Sequence, residues 1–143
     1  MARHARDDWK LMILVPIPSR LIDYAWRDGA NSLGESCVDE CTPDQLRMLI
    51  ARGERQLVRM DGDGKTVGWG AFRVDDLPNM RVLFVTNMTA HNGHFETFYS
   101  LLTDMAKDLG CSRIRFAALP AQERLYKIKL KAAPVYTVLE KIV

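Results

Sequence analysis

"FVTNMTAHNGHFETFYSLL", residues 84 to 102, passes from an apolar strand through a polar loop into an amphipathic helix. The loop has one glycine, Gly93, with His91, Asn92 and His94 around it. The first amides of a helix lack intrahelical partners and carry the positive end of its dipole, so such a loop is a natural seat for a phosphate. Two histidines beside a glycine also raise the question of a metal. The elements on either side decide between these readings.

Downstream, Phe98, Leu101, Leu102, Met105 and Leu109 recur at helical spacing, and Gly110 closes the helix. Residues 111 to 118 read as a strand, 121 to 131 as a helix, and 135 to 143 as a final strand. Upstream, 81 to 87 is an apolar strand, and a polar turn at 75 to 79 joins it to the strand 66 to 74. Asp61-Gly62-Asp63-Gly64 tolerates positive φ and makes a hairpin of 56 to 60 and 66 to 74. Thr42-Pro43-Asp44-Gln45 supplies a capping residue, a proline at the first helical position and Gln at the third. Leu46, Leu49 and Ile50 form that helix's inner stripe, and Gly53 suits its end. A more polar stretch, 29 to 41, precedes it. Before that, the pattern predicts a strand at 10 to 15 and a helix from an N-cap at Ser19, with Leu21, Ile22 and Ala25 inward.

At 143 residues, 48% hydrophobic and 27% charged, the chain has the size and composition of one domain, 1–143. Its 20 Lys and Arg against 18 Asp and Glu leave a charge of only +2, which argues against a counterion-driven grip on nucleic acid. Arg3, His4 and Arg6 read as a solvated basic end. The run Leu11 to Val15 stops at Pro16 and Pro18, too short for a signal peptide, and no segment approaches the length of a membrane span. Three cysteines, an odd number without secretory context, point to a reduced, cytoplasmic setting.

The element order is strand, helix, helix, three meandering strands, helix, strand, helix, strand: a mixed α/β (α+β), mostly antiparallel sheet with helices on both faces. That order, with Lys65-Thr66-Val67-Gly68-Trp69-Gly70-Ala71-Phe72-Arg73 and "RLYKIKLKAAPVYTVLEK" from Arg124 to Lys141, resembles the GNAT-type N-acyltransferase superfamily. The resemblance covers residues 10 to 143 in element order and 65 to 143 in residue detail.

It implies an N-acyltransferase that moves an acetyl group from acetyl-CoA to a primary amine of a small molecule or peptide. Backbone amides after the fourth strand would hold the pyrophosphate, which here nominates Val85, Thr86, Asn87, Asn92, Gly93, His94 and Phe95. The family's Gln/Arg-x-x-Gly-x-Gly/Ala loop is incomplete, since Gly93 stands alone and Glu96 brings negative charge into the first turn. Tyr126 matches the position of the family's tyrosine acid, and is equally an aromatic that packs in a core. Glu35, Asp39 and Glu40 are the carboxylates available as a base, whereas Thr86 and Asn87 are poor candidates. Strands 81 to 87 and 111 to 118 should splay to admit the pantetheine arm. The degraded loop also suits a non-catalytic module of this fold that binds another protein, of the kind compact bacteriophage proteins suggest.

Cys37-x-x-x-Cys41 and His91-x-x-His94 together match a zinc-binding set in residue type. Their spacing argues against it: the histidines are too close and about fifty residues separate the two halves. Cys37 and Cys41, four apart, suit one packed helix face instead.

Overall fold

Asp63 and Gly64 take φ of 53° and 74°, the left-handed backbone a two-residue hairpin requires. They join β2 (Gln56–Gly62) to β3 (Lys65–Leu77). The computed structural model describes residues 12–91 and 93–143, so the part of the first predicted strand at 10 and 11, the basic start and Asn92 lie outside the described residues. β3 turns back at once into β4 (Met80–Ala90). The predicted turn at 75 to 79 shrinks to Pro78 and Asn79, because Asp75 and Asp76 join the ladder and pair with Arg73 at 2.9 Å and Arg81 at 3.2 Å.

β1 (Ile13–Ile17) flanks β2 antiparallel, and β5 (Arg113–Phe116) flanks β4 parallel, giving the order β1-β2-β3-β4-β5. The first strand therefore runs through Pro16 instead of stopping there, which an edge strand allows because the missing N–H interrupts no central ladder. β5 is shorter than the predicted 111 to 118. The predicted last strand is absent: residues 131 to 143 form neither helix nor strand. The pattern there is strand-like, but among the described residues no strand pairs with it.

Helices cover both faces. On one side α1 (Ile22–Asp28), a 3-10 segment Ala30–Ser36 and α2 (Pro43–Ala51) close over Leu57, Trp69 and Ala71, burying Ile22, Ala25, Ala30, Leu33, Leu46 and Ile50. Ser19 caps nothing; it opens a short 3-10 turn, and α1 starts after Leu21 with no side-chain cap. Thr42 does cap α2: Gln45 N–H donates to Thr42 Oγ1 (3.2 Å) and Thr42 N–H donates to Gln45 Oε1 (2.9 Å). On the other side α3 (Phe95–Asp108) packs Phe98, Tyr99, Leu102 and Ala106 on Val58, Met60, Phe72, Leu83 and Val85. The glycines of "VGWGAFR" admit that helix, for a Cβ on Gly68 or Gly70 would stand 3.0 or 2.9 Å from the Phe98 ring. α4 (Pro120–Leu130) ends where Lys131 turns left-handed at φ 55°.

Candidate active site

The site starts from a register fault. Phe72 pairs with Val85 but Ala71 pairs with Asn87, so Thr86 is one residue too many in β4. Such a bulge bends its strand and interrupts the ladder locally, and β4 stays paired with β3 beyond it, from Asn87 to Ala90. On its other side β4 pairs with β5 only from Val82 to Val85, the last pair being Val85 with Phe116. Past the bulge, β4 continues to Ala90 with no partner strand there among the described residues, and the chain after Phe116 turns away into α4. The two strands thus pair for four residues and then part, which leaves β4 an unpaired edge at the place where the resemblance expects a slot.

β4 leads the slot directly to the start of α3. His91 N–H is held by Val67 O at 2.9 Å, and His94 N–H by His91 O at 3.1 Å. Gly93 takes φ of 86° with open space where a Cβ would be. His94 is the residue before the helix, and no side chain caps α3. The amides of its first turn therefore remain available to a ligand, in contrast to those of α2. Glu96 in that turn is met by Lys129 Nζ of α4 at 3.5 Å, which offsets the negative charge that the sequence placed there.

Side chains of the nominated residues divide by face. Val85 is buried against α3. Thr86 Oγ1 donates to Ala71 O at 3.2 Å. Asn87, only 7% exposed, turns its amide to the opposite layer, donating to Ser36 Oγ at 2.9 Å and Cys37 Sγ at 3.8 Å. Its side chain is thereby spent within the protein, so a ligand in the slot meets β4 through the main chain. Ser32 and Thr89 hydroxyls meet at 3.1 Å on that same face. Glu35, Asp39 and Glu40 are exposed; Glu35 adjoins the Ser36 that Asn87 touches.

Tyr126 lies in an aromatic cluster at the point where the strands part. Its ring centroid is 4.5 Å from Phe116, 5.2 Å from Phe95 and 6.0 Å from Tyr99. It thus ties α4 to the last residue of β5 and the first of α3. Burial holds the Tyr99 hydroxyl protonated well above its ordinary range, and the adjacent Tyr126 adds to the shift through its charge and a hydrogen bond. Tyr99, Phe116 and Lys129 escaped the sequence reading. The i, i+4 spacing of Phe95 and Tyr99 was the available signal for the first, since such pairs meet on a helix.

Cys37 and Cys41 place their sulfurs 3.7 Å apart, beneath Asn87. The histidines do not join them, and no three His, Cys, Asp or Glu side chains converge among the described residues.

No protein-family model matches the sequence, and no curated protein matches it. Solved structures do match in shape. A possible acetyltransferase from Clostridium difficile 630 superposes with a TM-score of 0.68 at 13% identity, over 93% of this chain and 98% of that one. Ribosomal-protein-alanine N-acetyltransferase from Brucella melitensis biovar Abortus 2308 gives 0.67 at 16% identity over 91% and 99%. Glucosamine-6-phosphate N-acetyltransferase from Arabidopsis thaliana gives 0.61 at 12% identity over 92% and 99%. With its mostly antiparallel sheet, bulged β4 and parted β5, the chain has the fold of the GNAT-type N-acetyltransferases.

Proposed function

We propose that the protein is an N-acetyltransferase that moves an acetyl group from acetyl-CoA to a primary amine of a small molecule or peptide. The observation that carries this reading is the parting of β4 from β5 after Val85 and Phe116, beside an uncapped helix N-terminus. The main chain of residues 85–87 and the loop through Asn92, Gly93, His94 and Phe95 would hold the donor. Pantetheine amides suit a free strand edge, and the pyrophosphate suits unpartnered amides at the start of α3. Glu96 fits this only because Lys129 offsets it.

In the reaction the amine nitrogen attacks the thioester carbonyl, a C–N bond forms, the C–S bond breaks, and the amine proton leaves to solvent or a carboxylate. Tyr126 is the hydroxyl proposed to return a proton to the thiolate, and Glu35 the carboxylate proposed to accept the amine's, through water. Two of the structural neighbours are aminoglycoside acetyltransferases and one a glucosamine-6-phosphate N-acetyltransferase, which supports a small polar amine as acceptor. Among the described residues no helix is long and apolar enough to cross a membrane; with the near-neutral charge this supports a cytoplasmic site of action without membrane or nucleic-acid partners.

Calorimetric titration with acetyl-CoA, followed by release of free CoA thiol over a panel of aminosugars, polyamines and peptides, tests the reading. Saturable binding with amine-dependent thiol release is expected. Absence of both would leave the second reading, a GNAT-like module, of bacteriophage type, that binds a protein; the single glycine of its phosphate loop is what favours that reading.

A further inference from the structure

The sheet stops at β5. Arg113–Phe116 pair with β4 on one side only, and among the described residues no strand lies on the other. An open edge of this kind is a template for another strand. Alongside it runs a groove of about 550 Å³ between α3 and β5, walled on its apolar side by Tyr99, Leu101, Ile114, Phe116 and Leu130, and completed by Glu96, Lys129 and the hydroxyl side chains of α3. Ala132 stands at its rim.

From that rim the chain leads away. Val135 is 60% exposed, Val138 82%, and Leu139 and Ile142 88% each. Val135, Tyr136, Thr137, Val138, Leu139, Ile142 and Val143 are strand formers, in a stretch of nine residues broken only by Glu140 and Lys141. A solvated tail is ordinarily polar, so this composition is that of an element meant to be covered. One molecule therefore holds an unpaired edge beside a partly apolar groove, and an exposed apolar segment of strand-forming composition that covers neither.

We propose that residues 135 to 143 of one chain add as a sixth strand to the β5 edge of a second copy and fill its groove, the exchange being reciprocal. Two-fold exchange gives each edge a strand and each arm a groove, and closes the assembly at two chains. The arm then packs on Phe116 and Tyr99, behind the ring of Tyr126, so the partner completes the wall of the slot's aromatic cluster.

Sedimentation equilibrium and concentration-dependent hydrogen exchange on the full chain test this. The expected particle mass is twice 16.3 kDa. Amides of 113 to 116 and 135 to 143 should be protected above the dimer dissociation constant and exchange freely on dilution below it, while those of β3 stay protected. Leu139→Asp changes a side chain exposed in the single chain, so it should leave the monomer folded by circular dichroism and raise the dissociation constant roughly 100-fold, two buried leucines being replaced by charges. A monomer at tens of micromolar, whether its arm is free or protected by its own groove, overturns the proposal. So does a dimer that Leu139→Asp leaves unchanged.

Discussion

Gly70 and Phe98 meet so closely that a Cβ on the glycine would stand 2.9 Å from the Phe98 ring, and Val58 closes the other side at 3.4 Å. The strand and helix on which the site depends are therefore held at a distance set by a hydrogen atom. Gly70→Ala should destabilise the protein by about 1–3 kcal/mol, the usual cost of overpacking a filled core. Urea unfolding followed by fluorescence reads it, and an unchanged midpoint would show that α3 can lift without loss.

Tyr126→Phe retains the ring that packs on Phe95 and Phe116, so the fold should persist. If the hydroxyl protonates the thiolate, turnover should fall by roughly 10²–10⁴-fold while acetyl-CoA affinity holds. Turnover equal to wild type would assign Tyr126 to packing alone.

Thr42 and Gln45 satisfy each other's backbone donors at the start of α2. Thr42→Ala removes one acceptor and should cost about 1 kcal/mol, whereas Thr42→Asn should recover most of it. Equal unfolding midpoints for the two variants would contradict this account of the cap.

Burial, then the hydrogen bond and charge of Cys41, push the Cys37 thiol from 9.0 up to about 11, against a smaller downward pull from the Asn87 amide. Because the native chain keeps this proton to higher pH than the unfolded chain, the stability it contributes is complete below about pH 9 and declines as pH rises towards about 11. At pH 8, alkylation of Cys37 in the native protein should run roughly 100-fold slower than in the unfolded chain, the ratio of their thiolate fractions. Peptide-resolved mass spectrometry measures this. Equal rates would place the thiol in an ordinary aqueous setting.

Features legible in the sequence were those whose cause is local. Thr42 to Gln45 announces a helix start because both partners lie three residues apart, and Asp63-Gly64 announces a hairpin because two adjacent residues must take positive φ. Order and type of elements followed, and with them the mixed sheet. Features that depend on distant partners were hidden. Nothing around Thr86 marks it as surplus until β3 is laid alongside, and Tyr126 could be placed on a helix but not among Phe95, Tyr99 and Phe116, which come from two other elements. Lys129 reaches Glu96 across 33 residues for the same reason. Residues 135 to 143 show the opposite failure: their strand propensity is plain, but propensity names no neighbour, and among the described residues no strand pairs with them.

The surplus residue in β4 also sets how the strand tolerates change in length. Before Thr86 the odd-numbered Leu83 and Val85 face α3; after it the even-numbered Met88 and Ala90 do, while Asn87 and Thr89 meet Ser36 and Ser32 on the other layer. Deleting Thr86 would set Val85 and Asn87 consecutively opposite Phe72 and Ala71, with every later side chain on its present face, whereas deleting Met88 would turn Thr89 toward α3 and Ala90 away from it. A deletion at the bulge removes only the local bend; a deletion beyond it exchanges the two faces of everything that leads to the helix start.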